Sequence, residues 1–388
     1  MDAIIVGCGL TGSVIARQLA EQGKKVTIWE RREHIGGNMY DYTDEHGFLV
    51  QKYGPHAFHT VNKRIYDYVC HFEDWKPYRL TCGADWDGRY TPTPFNFKTI
   101  DTFYPPEQAE RLKEKIRNAF PGRETATVVE VLENPDPDIR GYAEYLFEKD
   151  YAPYTAKQWG ISAAEIDPSV LKRVPLRFSY GEGYFDDEYQ AMPEHSFTHF
   201  FENLLNHPNI HVELGTDALK RLSIIENVLF IDGKCAELPV IYTGALDELF
   251  GGIYGRLPYR SLRFEWKYTE DDSIQDAPIV AYPQEIGYTR ITEYKKLPVQ
   301  KGAGSTYAVE YPLPYTPESN AEPYYPVLTA ESQVQYSKYL KEAQKVKNLI
   351  LCGRLADFKY YNMDQALERA LTVFEMVWNR DDCRHIEK

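Results

Sequence analysis

The stretch that decides the fold is residues 3–30, AIIVGCGLTGSVIARQLAEQGKKVTIWE. Its first four residues form an apolar run that ends at a glycine, which is typical of a buried parallel strand. Val14, Ile15 and Leu19 follow at helical spacing, and Gly23 stands where a helix commonly ends. A second strand over residues 25–30 completes the pattern. The stretch therefore predicts a βαβ unit.

The turn between this strand and helix reads G-x-G-x-x-G. In such a turn Gly7 permits the tight reversal, Gly9 lets a pyrophosphate approach the backbone, and Gly12 allows close packing of helix on strand. The N-terminus of the helix offers unpaired N–H groups and a positive dipole to phosphates. Glu30 ends the second strand, where a carboxylate can accept both ribose hydroxyls. A glycine fingerprint alone is a weak signal, but in this context it predicts a dinucleotide site formed by Gly7, Gly9, Leu10, Thr11, Gly12 and Glu30.

The residues after Glu30 favour FAD over a nicotinamide dinucleotide. Gly36-Gly37 is similar to a second glycine pair in FAD-binding oxidases and mutases, which NAD dehydrogenases do not usually carry. Arg31 and Arg32 could instead suit the 2′-phosphate of NADP, but Glu30 would repel that phosphate. We therefore expect FAD.

The amino-acid composition limits which functional classes remain possible. A chain of 388 residues exceeds what one core usually organises, so we expect two or three lobes. The net charge of −14 argues against nucleic-acid or anionic-membrane binding, because both need a broad positive surface. The six cysteines have neither metal-ligand spacing nor the density of a disulfide framework. With no signal peptide and no apolar run of membrane-spanning length, a cytosolic protein without a metal is expected.

Further along the chain, strand and helix patterns alternate in blocks. Asp87-Gly88 marks a hairpin, and residues 105–147 read as helices with charged faces. Residues 256–315 read as antiparallel strands, and apolar runs at 238–242 and 348–352, the second with a helix behind it, look like returning Rossmann strands. The predicted class is α/β, a discontinuous Rossmann-type FAD-binding domain with an inserted helical subdomain and an antiparallel β-sheet domain.

The predicted boundaries follow from these blocks. They place the FAD-binding domain at 1–76, 190–248 and 340–388, the helical subdomain with a mobile lid at 100–168, and the sheet domain that binds substrate at 77–99, 169–189 and 249–339.

Six later motifs carry a family resemblance. They are GPHAFHT (54–60), YTAKQWG (154–160), LKRVPLRF (171–178), GYTRITEYK (287–295), EPYYP (322–326) and GRLADFKYYNMD (353–364). In this order, and after the FAD fingerprint, they resemble the bacterial UDP-galactopyranose mutases. The resemblance implies interconversion of UDP-galactopyranose and UDP-galactofuranose, with N5 of reduced FAD as nucleophile and no net redox change. It also implies a homodimer, an external flavin reductant and a role in cell-surface polysaccharide synthesis.

The same resemblance assigns roles to residues. It implies that Arg173 and Arg290 grip the diphosphate and are essential for catalysis. The other substrate contacts it implies are Tyr154, Thr155 and Trp159 at the uridine, Tyr184, Tyr325 and Tyr360 at the diphosphate, and His59 and Asn362. Trp159 is expected on a lid that excludes water. His56 is expected over the flavin ring as a catalytic group, and the further cofactor contacts are Arg31, Gly36, Gly37, Asn38, Ala57, Arg354, Tyr361, Met363 and Asp364.

Some positions depart from the family pattern. Asn362 replaces a frequent aspartate, Asp150-Tyr151 stands where paired phenylalanines are common, and Leu80 and Ala281 replace frequent polar residues. These changes leave open whether galactose or N-acetylgalactosamine is preferred. The rival readings are an FAD-dependent oxidase of the amine-oxidase type, which would need an apolar substrate tunnel instead of two arginines, and a non-catalytic nucleotide-sugar binding protein.

Overall fold

A five-stranded parallel sheet, here called the central sheet, organises the first layer of the molecule. The computed structural model describes residues 1–160, 175–316 and 321–378. The strands of the central sheet are ordered Ile210–Glu213, Val26–Trp29, Ala3–Val6, Val240–Tyr242 and Leu349–Leu351. Every neighbouring pair is parallel. The predicted βαβ unit and both returning strands are confirmed, whereas the edge strand Ile210–Glu213 was not predicted.

Three helices cover one face of the central sheet. Leu10–Glu21 packs against Met363–Trp378 and against Phe197–Leu205. All three contribute to one apolar core, because each turns a stripe of fully buried side chains towards the sheet. The helix that follows the glycine turn is therefore held on both sides.

A seven-stranded sheet, here called the long sheet, forms the second layer. Its strands are ordered Tyr325–Pro326, Tyr259–Thr269, Ser305–Pro314, Arg290–Glu293, Ile279–Ala281, Cys82–Trp86 and Arg89–Thr93. The hairpin predicted at Asp87-Gly88 is confirmed, since both residues have the positive φ, 54° and 69°, that such a turn requires. The sheet is antiparallel as expected except where Ile279–Ala281 pairs in parallel with Cys82–Trp86. These two strands are separated by nearly two hundred residues, so no tight turn dictates their relative direction.

A helical layer packs beside the strand Arg89–Thr93. Its helices are Phe97–Phe103, Pro106–Ala119, Val128–Leu132 and Pro137–Leu146, followed by a π-helical turn at Phe147–Tyr151 and the helix Ala152–Trp159. Two of the breaks fall at turn-forming residues, Pro121-Gly122 and Asn134-Pro135. At one of them the Asp136 side chain caps the next helix by accepting hydrogen bonds from the N–H groups of Asp138 and Ile139.

Short elements complete the described chain. The remaining strands are Asp41–Thr43, Leu49–Gln51, Phe58–Thr60, Trp75–Pro77, Thr125–Ala126, Leu176–Arg177, Tyr189–Pro193, Leu222–Ile225, Val228–Ile231 and Lys234–Cys235. The remaining helices are Lys63–Cys70, Leu246–Leu249 and Ala330–Ala343, with 3₁₀ turns at Gly37–Met39 and Ala218–Lys220. No helix in the described ranges combines the length and the apolarity needed to cross a membrane.

The close packing of helix on strand at Gly12 gives a test of the fold. A Cβ atom at Gly12 would lie 2.1 Å from the carbonyl oxygen of Gly7. Gly12→Ala should therefore lower the free energy of unfolding by about 1–3 kcal/mol, the range found for overpacking. Gly141→Ala is the matched control, because that helical glycine faces open space and alanine is the better helix former. Chemical denaturation of both variants decides; equal stability of Gly12→Ala and the wild type contradicts the packing argument.

Candidate active site

The cavity at the glycine turn, here called the glycine cavity, has a volume of about 250 Å³. It opens where the strands Ala3–Val6, Val26–Trp29 and Val240–Tyr242 end, at the carboxyl edge of the central sheet, which is the usual ligand edge of such sheets. Predicted cofactor residues that line it are Gly7, Gly9, Leu10, Thr11, Gly12, Glu30, Arg31, Gly36, Gly37, Asn38, His56, Arg354 and Met363.

The backbone around the glycine cavity fits a dinucleotide. A Cβ atom at Gly37 would lie 2.8 Å from the Cα atom of Gly9, so the two predicted glycine motifs meet with no room for a side chain. Glu30 is buried, and its two carboxylate oxygens accept hydrogen bonds from the N–H groups of Cys8 and Arg32, at 2.7 and 2.9 Å. A bare backbone cradle beside a fixed carboxylate suits a pyrophosphate and a ribose.

The two arginines beside Glu30 are already paired. Arg31 and Arg32 each place a terminal nitrogen 2.7 Å from the same carboxylate oxygen of Glu322, and Arg32 also donates to the Oδ1 atom of Asn38 at 2.9 Å. Burial disfavours the charge on Glu322, but Arg32 and Arg31 outweigh it and hold the pKa of this carboxyl at about 2. The pairing ties the segment after the second strand to the EPYYP segment. It also engages both guanidinium groups with Glu322.

A second cavity, here called the tyrosine cavity, adjoins the first and has a volume of about 320 Å³. Predicted site residues that line it are His56, Ala57, His59, Tyr154, Thr155, Tyr184, Arg290, Tyr325, Tyr360 and Asn362. Both cavities are lined by Asn38, His56, Tyr324, Arg354, Asn362 and Met363. These shared residues are here called the common wall. A molecule that fills the glycine cavity therefore reaches the edge of the tyrosine cavity.

Arg290 brings a permanent positive charge into the tyrosine cavity. It lies on the strand Arg290–Glu293, directly opposite Glu310 on the neighbouring strand. Its Nε donates to one oxygen of that carboxylate at 2.8 Å, and Nη2 lies 2.7 Å from the same oxygen as an ion pair. Burial alone would lower the pKa of Arg290, but the Glu310 carboxylate raises it well above its ordinary value. Its Nη1 atom makes no hydrogen bond to any described residue, so one donor group remains for an anion.

Tyrosines supply neutral donors beside this cation. The rings of Tyr325 and Tyr360 stack with centroids 5.6 Å apart, and the guanidinium carbon of Arg354 lies 5.1 Å from the centroid of Tyr360. Arg354 is itself held by donating from Nη2 to the carbonyl oxygen of Tyr361 at 2.5 Å. Burial raises the pKa of Tyr325 to about 12 and also raises that of Tyr154. Both phenols therefore keep their protons at neutral pH.

His56 belongs to the common wall and is fixed by its surroundings. Its Nδ1 atom lies 2.9 Å from the carbonyl oxygen of Gly54, which places the proton on Nδ1. The side-chain amide of Gln51 accepts from the N–H of His56 and donates to its carbonyl oxygen at 3.1 Å. Burial lowers the pKa of the imidazole to about 4. His56 is thus neutral at physiological pH, and its Nε2 atom is an acceptor.

His59 has a different environment. Its ring stacks on Phe185 with centroids 3.5 Å apart and an interplanar angle of 14°. The Nδ1 atom lies 3.1 Å from an oxygen of Asp187, although the geometry is not that of a hydrogen bond. The stacked imidazole ring of His59 therefore forms a flat part of the wall of the tyrosine cavity, and the carboxylate of Asp187 lies beside it.

A helix forms one side of the tyrosine cavity, and we call it the cavity helix, residues 147–159. It consists of the π-helical turn Phe147–Tyr151 and the helix Ala152–Trp159. Asp150, Tyr154 and Gln158 are spaced four residues apart, so they share a face, and all three line the cavity. Gln158 was not predicted, although this spacing from Asp150 and Tyr154 could have revealed it. Its Oε1 atom is buried and has no hydrogen-bond partner.

The far end of the cavity helix is docked on the long sheet. Arg260 donates to the carbonyl oxygens of Gln158 and Lys157, at 3.0 and 3.1 Å. Lys157 donates from Nζ to three carbonyl oxygens, those of Tyr282, Glu285 and Tyr288, at 2.6, 2.8 and 2.9 Å. These bonds satisfy backbone groups at a helix end and fix which face of the helix points inward.

Several predicted residues lie elsewhere. Arg173 and the side chain of Trp159 fall outside the described residues. Tyr361 and Asp364 line neither cavity: the Tyr361 hydroxyl donates to Asp357 at 3.2 Å, and Asp364 accepts from the N–H of Gln365 at 2.8 Å. Asn362 borders both cavities immediately before the helix Met363–Trp378, and its N–H donates to the side chain of Gln365.

One side-chain cluster among the described residues has three convergent metal-ligand atoms. It consists of Glu73 and of His195 and His199, which are four residues apart, and it lies outside both cavities. The two Nδ1 atoms bond to different oxygens of the buried Glu73 carboxylate, His195 at 2.8 Å. The hydrogen bonds satisfy the carboxylate without an ion.

A comparison with protein-family models gives two matches. Residues 149–360 match the model described as GLF, UDP-galactopyranose mutase. Residues 5–72 match a model described as an NAD(P)-binding Rossmann-like domain. The first match covers more than half of the chain and includes most of the cavity helix, Arg290, Tyr325 and Tyr360. The second covers the glycine turn.

Individual proteins agree with these matches. The chain is 36% identical to a dTDP-fucopyranose mutase of Escherichia coli over 95% of this chain and 96% of the relative. It is 34% identical to a UDP-galactopyranose mutase of Mycoplasma pneumoniae over 97% and 96% of the two chains. A crystal structure of reduced UDP-galactopyranose mutase superposes with a TM-score of 0.72 at 17% identity, covering 98% of this chain and 96% of that one. At that identity the superposition establishes the fold.

The buried carboxyl of Asp150 predicts how stability depends on pH. Burial raises its pKa from 3.8 to about 7, against a smaller lowering by the charge of Lys157. The folded state then binds this proton more tightly than the unfolded state, so the contribution of Asp150 to stability is greatest below pH 4 and declines as the pH rises to about 7. Asp150→Asn should be more stable than the wild type at pH 8 by about 2–4 kcal/mol, and by little at pH 4. Urea unfolding at both pH values checks this; a difference that does not change with pH contradicts it.

Proposed function

The chain belongs to the UDP-galactopyranose mutase family, and on that premise we propose that it interconverts UDP-galactopyranose and UDP-galactofuranose with FAD as its cofactor. The observation that carries this proposal is the common wall. Because the same residues border the glycine cavity and the tyrosine cavity, a cofactor held in the first meets a substrate held in the second. Ring contraction needs this adjacency, since one carbon of the sugar has to be held while its ring oxygen is exchanged.

The residues that would hold FAD are those of the glycine cavity. The turn Gly7 to Gly12 offers backbone to the pyrophosphate, and Glu30 offers a carboxylate to the ribose. When bound in its reduced state, the flavin supplies at N5 the nucleophile for the anomeric carbon of the sugar. The family resemblance and the second glycine pair support FAD, and the resemblance supports its reduced state.

The protein's own contribution is electrostatic. Departure of the nucleoside diphosphate from the anomeric carbon places negative charge on the diphosphate, which a buried cation stabilises more strongly than water-exposed charges do. Arg290 keeps its charge beside Glu310, and Nη1 is left to bind the anion. Tyr154, Tyr325 and Tyr360 line the same cavity as protonated or stacked phenols that can donate to phosphate oxygens. Holding the departed group nearby allows it to return to the sugar, so the reaction is an isomerisation rather than a hydrolysis.

His56 has a positioning role in this scheme. An imidazole with a pKa of about 4 is a weak base and carries no proton on Nε2 to donate at neutral pH. Its Nε2 atom instead accepts a hydrogen bond at the common wall, from a sugar hydroxyl or from an N–H group of the cofactor. Gln51 fixes the backbone of His56 and so aims this acceptor.

A second candidate substrate is a dTDP-linked 6-deoxyhexose. Two observations favour it: the relative named as a dTDP-fucopyranose mutase, and an apolar stretch of the tyrosine cavity formed by Leu80, Cys82, Ile279, Ala281 and Leu297. A 6-deoxy sugar carries a methyl group where galactose carries a hydroxymethyl group, and a methyl group packs well on such a surface. An N-acetylated sugar is the third substrate to compare.

The cellular setting is proposed from the cysteines. Cys8, Cys82 and Cys352 are buried as free thiols, and burial raises the pKa of Cys8 and Cys82 to about 12, which keeps them unreactive. Together with the cysteine spacing this favours a reducing compartment, and we propose the cytosol. A homodimer and an external electron donor for the flavin are proposed from the family resemblance.

The proposed activity predicts a dependence on flavin reduction. The purified protein should be yellow, and after reduction with dithionite it should convert UDP-galactofuranose into UDP-galactopyranose, measured by chromatography of the nucleotide sugars. The oxidised protein should be inactive. dTDP-fucose and UDP-N-acetylgalactosamine assayed in parallel rank the candidate substrates. Peroxide release by the oxidised protein without ring isomerisation would instead establish the oxidase alternative.

Arg290 gives the sharpest test of the diphosphate site. Arg290→Ala should lower turnover or affinity by roughly 30- to 1000-fold while flavin absorbance is retained, because a charged partner of the phosphates is worth about 2–4 kcal/mol. Arg290→Lys keeps a positive charge beside Glu310 but removes the planar guanidinium group. It therefore separates the effect of the charge from that of the guanidinium geometry. Arg263→Ala is the matched control, because Arg263 is exposed and lies on the strand Tyr259–Thr269, which the strand Ser305–Pro314 separates from that of Arg290. The same loss is expected for Arg173→Ala. Wild-type turnover and substrate affinity in either alanine variant would disprove the assignment for that arginine.

A further inference from the structure

The cluster of Glu73, His195 and His199, here called the Glu73 cluster, has no part in the proposed reaction, because it lies outside both cavities. The carboxylate side chain is 1% exposed, whereas those of His195 and His199 are 62% and 41% exposed. One ligand atom from each residue lies within 4.8 Å of the others. Two imidazoles and one carboxylate are a ligand set found in zinc sites.

A pair of strands sets two of the ligands side by side. The strands Trp75–Pro77 and Tyr189–Pro193 pair in antiparallel fashion, with Trp75 opposite Pro193. Glu73 comes two residues before the first strand, and His195 comes two residues after the second. Because antiparallel strands bring such ends together, the ladder itself holds Glu73 next to His195.

A helix start fixes the third ligand. The Ser196 hydroxyl caps the helix Phe197–Leu205 by accepting a hydrogen bond from the N–H of His199 at 2.9 Å. From the next turn of this helix, the side-chain amide of Asn203 donates to the carbonyl oxygen of Phe72 at 2.8 Å. The helix is thereby tied to the residue that precedes Glu73. All three ligands therefore come from backbone that other hydrogen bonds already hold.

Negative charge predominates around the Glu73 cluster. Besides Glu73 itself, the carboxylates of Glu194 and Asp74 act on His195. The ammonium group of Lys76 lies 3.1 Å from Glu194 and offsets one of these charges. Three carboxylates against one ammonium group leave an excess of negative charge beside the two imidazoles. Such an excess attracts a cation.

An ion would replace hydrogen bonds that already bring the ligand atoms together. Both imidazoles donate from Nδ1 to Glu73, His195 at 2.8 Å. For coordination each Nδ1 must offer its lone pair, so its proton moves to Nε2 or to water. Ligand atoms around a tetrahedral zinc ion are roughly 3.3 Å apart. Since the present atoms lie within 4.8 Å of one another, shifts of about 1.5 Å or less complete the geometry, and the exposed side chain of His195 can supply them.

We propose that the Glu73 cluster binds one zinc ion through a carboxylate oxygen of Glu73 and the Nδ1 atoms of His195 and His199, with water as the fourth ligand. A set of two nitrogens and one oxygen suits zinc better than magnesium or calcium, which prefer oxygen ligands. Glu73 and His195 are 122 residues apart, so the ion closes a long loop and acts as a clip. The proposal is independent of the proposed reaction.

The test measures zinc binding directly. The flavin-loaded protein, freed of metal with EDTA, is titrated with zinc chloride in competition with a chromophoric chelator. The wild type should bind one ion per chain at this site. His195→Ala should weaken binding by at least roughly 10- to 100-fold, because losing a group that merely orients a metal ligand already costs that much. Glu73→Gln, which keeps the shape of the side chain but removes its charge, should show a similar loss.

Thermal unfolding tests the role of the ion as a clip. Zinc at about 100 times its Kd should raise the Tm of the wild type by about 3 °C, because the ion binds only the folded chain. The same zinc concentration should leave the Tm of His195→Ala unchanged. Absence of a rise in the wild type overturns the clip.

The control and the outcomes decide the proposal. His211→Ala is the matched control, because His211 is an exposed imidazole 3.9 Å from a carboxylate oxygen of Glu213 and belongs to no three-ligand group among the described residues. It should keep the wild-type affinity. A wild type that binds no zinc overturns the proposal and leaves the imidazoles as hydrogen-bond donors to Glu73. Binding that survives unchanged in His195→Ala and Glu73→Gln places the ion elsewhere and overturns it equally. Since His195 is exposed, its replacement by alanine preserves the fold.

Discussion

The site depends on a backbone contact in which no side chain is allowed. Gly9 and Gly37 come within a distance that would place a Cβ atom of Gly37 2.8 Å from the Cα atom of Gly9, and Gly12 packs as closely on Gly7. These contacts bring the turn after the first strand against the segment after the second strand. The resulting edge is bare backbone, which is what a pyrophosphate requires. The glycine cavity, and with it the common wall, is located by this contact.

In the tyrosine cavity the constraint is different: the guanidinium group of Arg290 has to stay charged although it is largely shielded from water. Desolvation lowers the pKa of Arg290. The register of the long sheet places the Glu310 carboxylate directly opposite, and this negative charge keeps the guanidinium group charged. The pairing uses one side of the guanidinium group and leaves the other for an anion. A buried arginine without a carboxylate partner would have a larger desolvation penalty, and one with all its donors paired would bind an anion less tightly. The sheet register is thus part of the chemistry.

Sequence reasoning succeeded where a residue type is tied to a local backbone form. The glycine turn, the hairpin at Asp87-Gly88 and the returning strands all carry such local signals. It failed for the parallel pairing of Ile279–Ala281 with Cys82–Trp86, because strand direction across a long insertion is set by tertiary packing. The edge strand Ile210–Glu213 was missed because it is short and only half buried.

Within the site, the residues found from the sequence are those in recognisable motifs, and most of them do line the two cavities. Gln158 was missed despite lying inside YTAKQWG, because the resemblance assigns roles only to Tyr154, Thr155 and Trp159, and the helical face that Gln158 shares with Tyr154 was not considered. Asp150 was seen only as a departure from a family pattern. Its burial, its lack of a partner and the engagement of Lys157 by three carbonyl oxygens exist only in three dimensions.

The two charged groups of the tyrosine cavity also impose a direction on any ligand. Arg290 attracts a diphosphate, whereas the carboxyl of Asp150, once ionised, repels one. A nucleotide sugar bound in reverse would place its sugar or its diphosphate against the carboxyl of Asp150 and its nucleobase near Arg290. Neither contact would stabilise the complex much. For the proposed substrate, attraction at one end and repulsion at the other favour the orientation in which the sugar meets the common wall. The orientation of the proposed substrate thus follows from where the fold places the carboxyl of Asp150 and the guanidinium group of Arg290.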